Sequence, residues 1–314
     1  MGKYILKRFA LSILTILGVT IVAFSFLHLI PGDPITTMFG QYPNKELVET
    51  VKAHYGLDRP ILYQYFLWLK KAVKLDLGTS IVNGLPVTQL VFERVPRTII
   101  LAFLGIFFSM FFTIPFGIIS ANKRNTTIDM GISSFSLFLL SIPEWWWGIA
   151  LILIFAVQFR LLPSGGYVFP TENFCGYLKT LILPGLALGL AATAGSTRML
   201  RTTMIDALQE DYVLLMKSYG VRNFRILLVH AFRNAILPVI TLVGVQFGYL
   251  LGGEVIIEKI FAYPGLGLLT WQSLAYRDYP VVQAAVVVFS FMFIVINFIV
   301  DILYGFINPQ IRYK

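Results

Sequence analysis

Five stretches of this chain run without a charged side chain for long enough to cross a lipid bilayer, and a sixth does so with one charge. The first five are Phe9–Ile30, Thr98–Asn122, Thr180–Thr197, Asn234–Gly253 and Tyr279–Val300; the sixth, Met130–Phe159, holds Glu144. A helix needs ~20 apolar residues to traverse the hydrocarbon core. Segments of this length satisfy their own backbone in lipid only as helices. The pattern therefore predicts an all-α membrane protein with six transmembrane helices. Charged residues make up only 13% of the chain, about half the share usual in a soluble domain. The net charge of +9 does not point to nucleic acid, because the basic residues sit between apolar blocks, not in a stripe with interleaved aromatics.

The basic clusters orient the chain. Short positively charged segments favour the cytoplasmic side. With the N-terminus inside, six crossings put Lys123 and Arg124, the segment from Arg198 to Arg233, and the tail with Arg312 and Lys314 all inside. Lys3, Lys7 and Arg8 precede the first span, whose apolar run is too long for a secretion signal; it is expected to stay as an anchor. Ile260–Tyr276 is also uncharged, but Pro264, Gly265 and Gly267 interrupt it. It is expected to form a re-entrant or interfacial turn on the outer side, since a seventh crossing would put the basic tail outside. The expected organisation is an anchor helix at 1–30, an extracytoplasmic loop region at 31–96 between the first two helices, a permease core at 97–308 and a cytoplasmic tail at 309–314. Within the loop region, Ile61–Leu75 suits an amphipathic helix. Within the core, 198–235 forms a cytoplasmic segment.

Catalytic chemistry is sparse. No Gly-Lys-Ser or Gly-Lys-Thr of a phosphate-binding loop occurs, so any ATP hydrolysis must come from a partner chain. The lone Cys175 excludes an internal disulfide, and His28, His54 and His230 lie too far apart for a zinc site. No catalytic and no metal-binding residue is assigned. An intramembrane serine protease would need a pair such as Ser164 and His28, but Ser164 falls in an outer loop without a G-x-S-x-G setting. A proton-coupled carrier would use Glu144 within a span, with Glu254 and Asp301 at span ends. The inverted repeats of many such carriers are missing.

The cytoplasmic segment is more informative. Glu210-Asp-Tyr212 opens a short helical stretch that ends at Gly220, a residue suited to a helix C-cap. A basic linker follows, and then His230-Ala-Phe-Arg-Asn-Ala-Ile-Leu-Pro238 enters the next span. By pattern alone this is a solvated loop or a lever held beneath the bilayer on two spans. It resembles the coupling loop of ABC importer permeases, closest to the dipeptide, oligopeptide and nickel branch. Further matches run in order along the chain: Pro31-Gly-Asp-Pro34, Gly56-Leu-Asp-Arg-Pro60, Asp76-Leu-Gly-Thr-Ser80, Ile142-Pro143 with Trp146-Trp147-Gly148, Glu258-Lys-Ile-Phe-Ala-Tyr-Pro-Gly-Leu-Gly267, Arg277-Asp-Tyr-Pro-Val-Val282 and Asn308-Pro-Gln-Ile-Arg312. One departure is Leu214-Leu-Met216, where the wider family favours Glu-Ala-Ala and this branch small residues.

The resemblance implies a type I ABC importer permease in a bacterial inner membrane, with both termini cytoplasmic. Its partners would be a second, homologous permease subunit (by family habit a different chain), two ABC ATPase subunits that use ATP and Mg, and an extracytoplasmic solute-binding protein. The chain itself would bind no cofactor. Asp206, Glu210, Asp211, Tyr212, Gly220, Arg233, Asn234 and Pro238 would serve ATPase coupling, and the basic stretch after Gly220 suits anionic membrane lipid. Glu144, Trp147 and Glu254 are the candidate substrate-pathway residues. A carboxylate in a span costs ~3 kcal/mol or more unless it faces protein or water, so Glu144 is expected to line the pathway and favour cationic groups. Glu258, Pro264 and Gly265 would shape the outer mouth. Cargo is expected to be peptides or nickel and other metal chelates.

Overall fold

The structure, a computed structural model, describes residues 2–29 and 59–307. The motifs at 31–34 and 308–312, positions 31–58 of the loop region between the first two spans, and the tail at 309–314 lie outside the described residues. Long apolar runs become long helices: α1 (Gly2–Leu29), α3 (Val87–Asn122), α6 (Phe174–Gln209), α8 (Phe232–Gly253) and α11 (Tyr279–Ile307). Between them lie α2 (Ile61–Ala72), α4 (Thr127–Ser141), α5 (Glu144–Leu151), α7 (Asp211–Ser218), α9 (Val255–Ile260) and α10 (Leu266–Ala275). Among the described residues, extended pairing is confined to a single bridge between Thr79 and Pro86.

Five of these helical segments are long and apolar enough to cross a membrane. The predicted span Met130–Phe159 differs: α4 and α5 meet at an angle of 99°. The cause is local. Pro143 disfavours a helical conformation in the residue before it, and Ile142 is accordingly extended at φ −108°, ψ 129°. A second difference concerns the stretch before α8. The expected basic linker is helical: Asn223–Arg225 forms a turn, Ile226–Ala231 winds as a π-helix, and both run into α8. Pro238 therefore sits inside a continuous helical segment, in the second turn of α8. The interrupted stretch Ile260–Tyr276 is a turn followed by α10.

The chain divides into two compact units. The larger holds Ile99–Tyr263 and the described part of 295–314. Its spine is the packing of α3 on α6, built where side chains are absent. A Cβ on Gly189 would lie 2.6 Å from Phe108 Cβ and 3.0 Å from the Gly105 carbonyl oxygen, and one on Gly117 would lie 2.7 Å from Leu200 Cγ. Small residues allow such backbone approach where lipid supplies no hydrophobic drive between helices. Toward its C-terminal end, Leu200, Met204 and Ala207 of α6 share an apolar core with Ile118 and Ala121 of α3 and Ala231, Ala235 and Val239. α8 is tied to α6 by polar bonds as well: Ser196 Oγ donates to Gln246 Oε1 at 2.9 Å, and Thr203 Oγ1 donates to the Ala235 carbonyl at 2.8 Å.

The smaller unit holds the described parts of 2–98 together with Pro264–Ile294. The amphipathic α2 buries Tyr65, whose hydroxyl lies 2.9 Å from Thr20 Oγ1 of α1 and whose ring meets Phe24 edge-on at 5.5 Å. The loop before α3 is anchored by Asp278, which accepts hydrogen bonds from Ser80 Oγ and from the Ile81 amide. Leu266 N donates to Thr98 Oγ1 at 2.8 Å, and Arg97 donates to the Pro264 carbonyl, so the Pro264–Gly265 turn is held by the start of the α3 span.

Candidate functional site

α6 does not run straight into α7. Glu210 adopts an extended conformation (φ −68°, ψ 147°), which ends the long helix and starts a new one at Asp211, whose acidic side chain suits a helix N-terminus. α7 ends in a Schellman motif: Val221 N donates to the Met216 carbonyl and Gly220 N to the Lys217 carbonyl, both at 3.0 Å. Gly220 sits at φ +73°, in the left-handed region that favours glycine. The predicted short helix and its glycine cap are both present.

One face of α7 is fixed and the other is bare. Val213 is buried at 1% exposure, and Asn234 Nδ2 donates to the Tyr212 hydroxyl at 3.3 Å. The opposite side presents Leu214 (73% exposed), Leu215 (58%) and Tyr219 (79%), with Phe224 (73%) on the following turn. Asp206, Glu210, Tyr212 and Asn234 converge, with Thr203, on an open cleft of about 370 Å³ at the junction of α6, α7 and α8. Asp211, Gly220, Arg233 and Pro238 lie outside that cleft; Asp211 and Arg233 are exposed. Thr203, Ala207 and Ala235 were not among the sequence candidates, since nothing in a helical Thr or Ala marks it as lining a cleft.

The broken span gathers a second group. Trp147 Nε1 donates back across the break to the Leu139 carbonyl at 3.4 Å, and its ring meets Phe138 edge-on at 5.7 Å. One turn after Glu144, a Cβ on Gly148 would lie 3.2 Å from the Phe261 ring and 3.3 Å from Ile257 Cδ1. That close approach seats α5 against α9 and brings Glu144 toward Glu254. Glu254 is 1% exposed, and neither of its carboxylate oxygens has a hydrogen-bond partner. Burial first, and then the neighbouring carboxyl groups of Glu258, one turn further on, and Glu144, disfavour its charged form. Glu144 and Glu254 thus belong to one acidic region, with Glu258, fully buried, beside them. Pro264 and Gly265 belong to the other unit.

A third constellation escaped the sequence reading. Asp129, near the start of α4, is 3% exposed. Its Oδ1 accepts from Arg201 Nε at 2.7 Å and from Ser120 Oγ, and its Oδ2 accepts from Arg201 Nη2 at 2.7 Å and the Asn125 amide at 2.9 Å. The Thr126-x-x-Asp129 spacing, an acidic variant of a capping box, was its one sequence trace.

A helical membrane protein with a short surface helix slung between two spanning helices, and a glutamate at a break in another, has the make-up of a transport permease. The comparisons agree. The chain belongs to the family described as binding-protein-dependent transport system inner membrane component, whose model matches residues 113–313, with the N-terminal component of the same system matching residues 1–102. It is 39% identical over 316 residues to the oligopeptide transport system permease protein AppB of Bacillus subtilis. It is 40% identical over 314 residues to the glutathione transport system permease protein GsiC of Pectobacterium atrosepticum. Both alignments cover 100% of each chain. Among solved structures, the fold matches the inward-facing MetNI methionine ABC transporter with a TM-score of 0.59 at 16% identity, covering 70% of this chain and 97% of that one. The chain is thus a multi-pass membrane permease of an ATP-driven importer, a transport subunit with a type I importer fold. The carrier and protease readings find no support. Ser164 lies in the loop after α5, and the side chain of His28 lies outside the described residues.

Proposed function

We propose that this subunit forms half of the translocation pathway of a peptide importer, and that α7 is the element through which separate ATPase subunits drive it. The observation that carries this reading is the two-faced construction of α7: an extended hinge at Glu210, a capped end at Gly220, one face pinned by Val213 and Tyr212, and an outward face of Leu214, Leu215 and Tyr219. An exposed apolar patch flanked by charges marks a docking surface, and Leu214, Leu215 and Tyr219 supply it. The carriage of peptides rests on similarity to permeases named for oligopeptide and glutathione transport. In this reading the N-terminus and α7 are cytoplasmic, the basic residues after Gly220 face anionic lipid, a homologous permease completes the pathway, and a binding protein delivers cargo outside. Glu144 and Glu254 favour the cationic end of a peptide.

Purification of the tagged subunit in mild detergent tests this directly. A second six-span permease and P-loop ATPases should co-purify, and Leu214→Asp with Leu215→Asp should release the ATPases while keeping the permease pair. A stable complex without any ATPase would overturn the reading.

A further inference from the structure

We infer that the Asp129–Arg201 pair is the joint that carries motion from α7 to the broken span, an inference that rests on the reading of α7 as the driven helix. Arg201 lies on α6 two turns before the Glu210 hinge. Its guanidinium meets both oxygens of Asp129 in a two-point fork, Nε on Oδ1 and Nη2 on Oδ2, each at 2.7 Å. The same carboxylate accepts from Ser120 of α3 and from the Asn125 amide in the α3–α4 turn. One buried side chain therefore ties α3, the turn and α6 together, with every acceptor position engaged.

The placement matters more than the strength. On one side α6 continues to α7, and the polar and apolar ties at Thr203, Met204 and Ala207 hold this stretch of α6 to α8. On the other side Asp129 begins α4, which ends at the Ile142–Pro143 break directly before Glu144. One route from α7 to the acidic region thus runs through α6, the Arg201 fork and α4, beside the direct packing of α6 on α5. An apolar contact permits sliding of one helix past another. A two-point fork between planar groups fixes both distance and orientation, which is what a joint requires. Asp129 and Arg201 act here as positioning residues, with no contact to cargo assigned to them.

The test compares Asp129→Asn, Arg201→Gln and the double variant in the full complex reconstituted into liposomes with ATPases and binding protein, reading cargo imported per ATP hydrolysed alongside thermal stability. Arg201→Gln leaves a buried carboxylate unpaired and Asp129→Asn a partly exposed guanidinium, so each will lose stability for that reason alone, the first more than the second. The double variant removes both charges and should regain stability. If the pair transmits motion, the double variant still imports about tenfold less cargo per ATP, with hydrolysis retained. Recovery of the wild-type ratio in the double variant would overturn the inference and assign the pair to folding, as would failure of the double variant to assemble. Absence of ATP-driven import in the wild-type complex would instead overturn the functional reading beneath it.

Discussion

Glu254 is the residue whose environment is hardest to reconcile with a purely structural role. A carboxylate buried without a hydrogen bond, with Glu258 and Glu144 beside it, is costly in any packed interior. A cationic group entering this region would offset that cost. Glu144→Gln and Glu254→Gln should each reduce uptake of peptides with a free amino terminus by about tenfold, equivalent to about 1.4 kcal/mol, and affect N-acetylated peptides less. Competition assays with the paired peptides measure this; equal loss for both forms would exclude charge recognition. The sequence made Glu144 legible because a lone charge stands out in an apolar run. Glu254 was visible only as a charge at a span end, since its burial depends on α5 packing on α9 through Gly148. Asp129 and Arg201 were not legible: each sits among ordinary interfacial polar residues, and only the fold shows that they meet across 72 positions of sequence.

At the scale of elements, α7 depends on its two ends. Gly220→Pro cannot adopt the observed φ of +73°, because proline fixes φ near −65°, and it deletes the amide that bonds the Lys217 carbonyl. It should separate ATP hydrolysis from import in reconstituted complexes while leaving insertion intact. Gly220→Ala, which costs only about 1–2 kcal/mol in the left-handed region, should keep most of the coupling. Normal cargo-stimulated hydrolysis in the proline variant would remove the glycine cap from the mechanism. The α3–α6 contact makes a separate prediction. Gly117→Ala drives a methyl against Leu200, 2.7 Å away, and should destabilise the purified subunit by about 1–3 kcal/mol, read as a lowered melting temperature in detergent. Helix existence was legible here because hydropathy dictates it. Helix ends were legible only where glycine marked them. Leu75, Ala262 and Arg277 also take positive φ, at turns that close α2, α9 and α10, and a non-glycine in that role leaves no signal. The sharpness of the break at Pro143 was equally hidden, since proline predicts a kink but the Trp147 bond and the Gly148 contact set its geometry.

For the whole molecule, the decisive question is which side of the membrane α7 occupies, and the break between α4 and α5 controls the answer. If the bent pair completes a crossing, there are six spans, and α7 lies on the side of the N-terminus. If it returns to the side it left, α6 crosses the other way and α7 emerges outside, where no ATPase can reach it. Charge favours the first arrangement: Lys123, Arg124, Arg198, Lys217, Arg222, Arg225 and Arg233 then all face the cytoplasm, as short basic segments do. The chain carries its own reporter. Cys175 is its sole cysteine and is exposed at the start of α6. In intact cells stripped of any outer wall, a membrane-impermeant maleimide should label Cys175 directly. With Cys175→Ala combined with Ser218→Cys, labelling on α7 should appear only after the membrane is permeabilised. The reverse pattern would make the α4–α5 pair a re-entrant loop and remove α7 from the reach of any cytoplasmic motor.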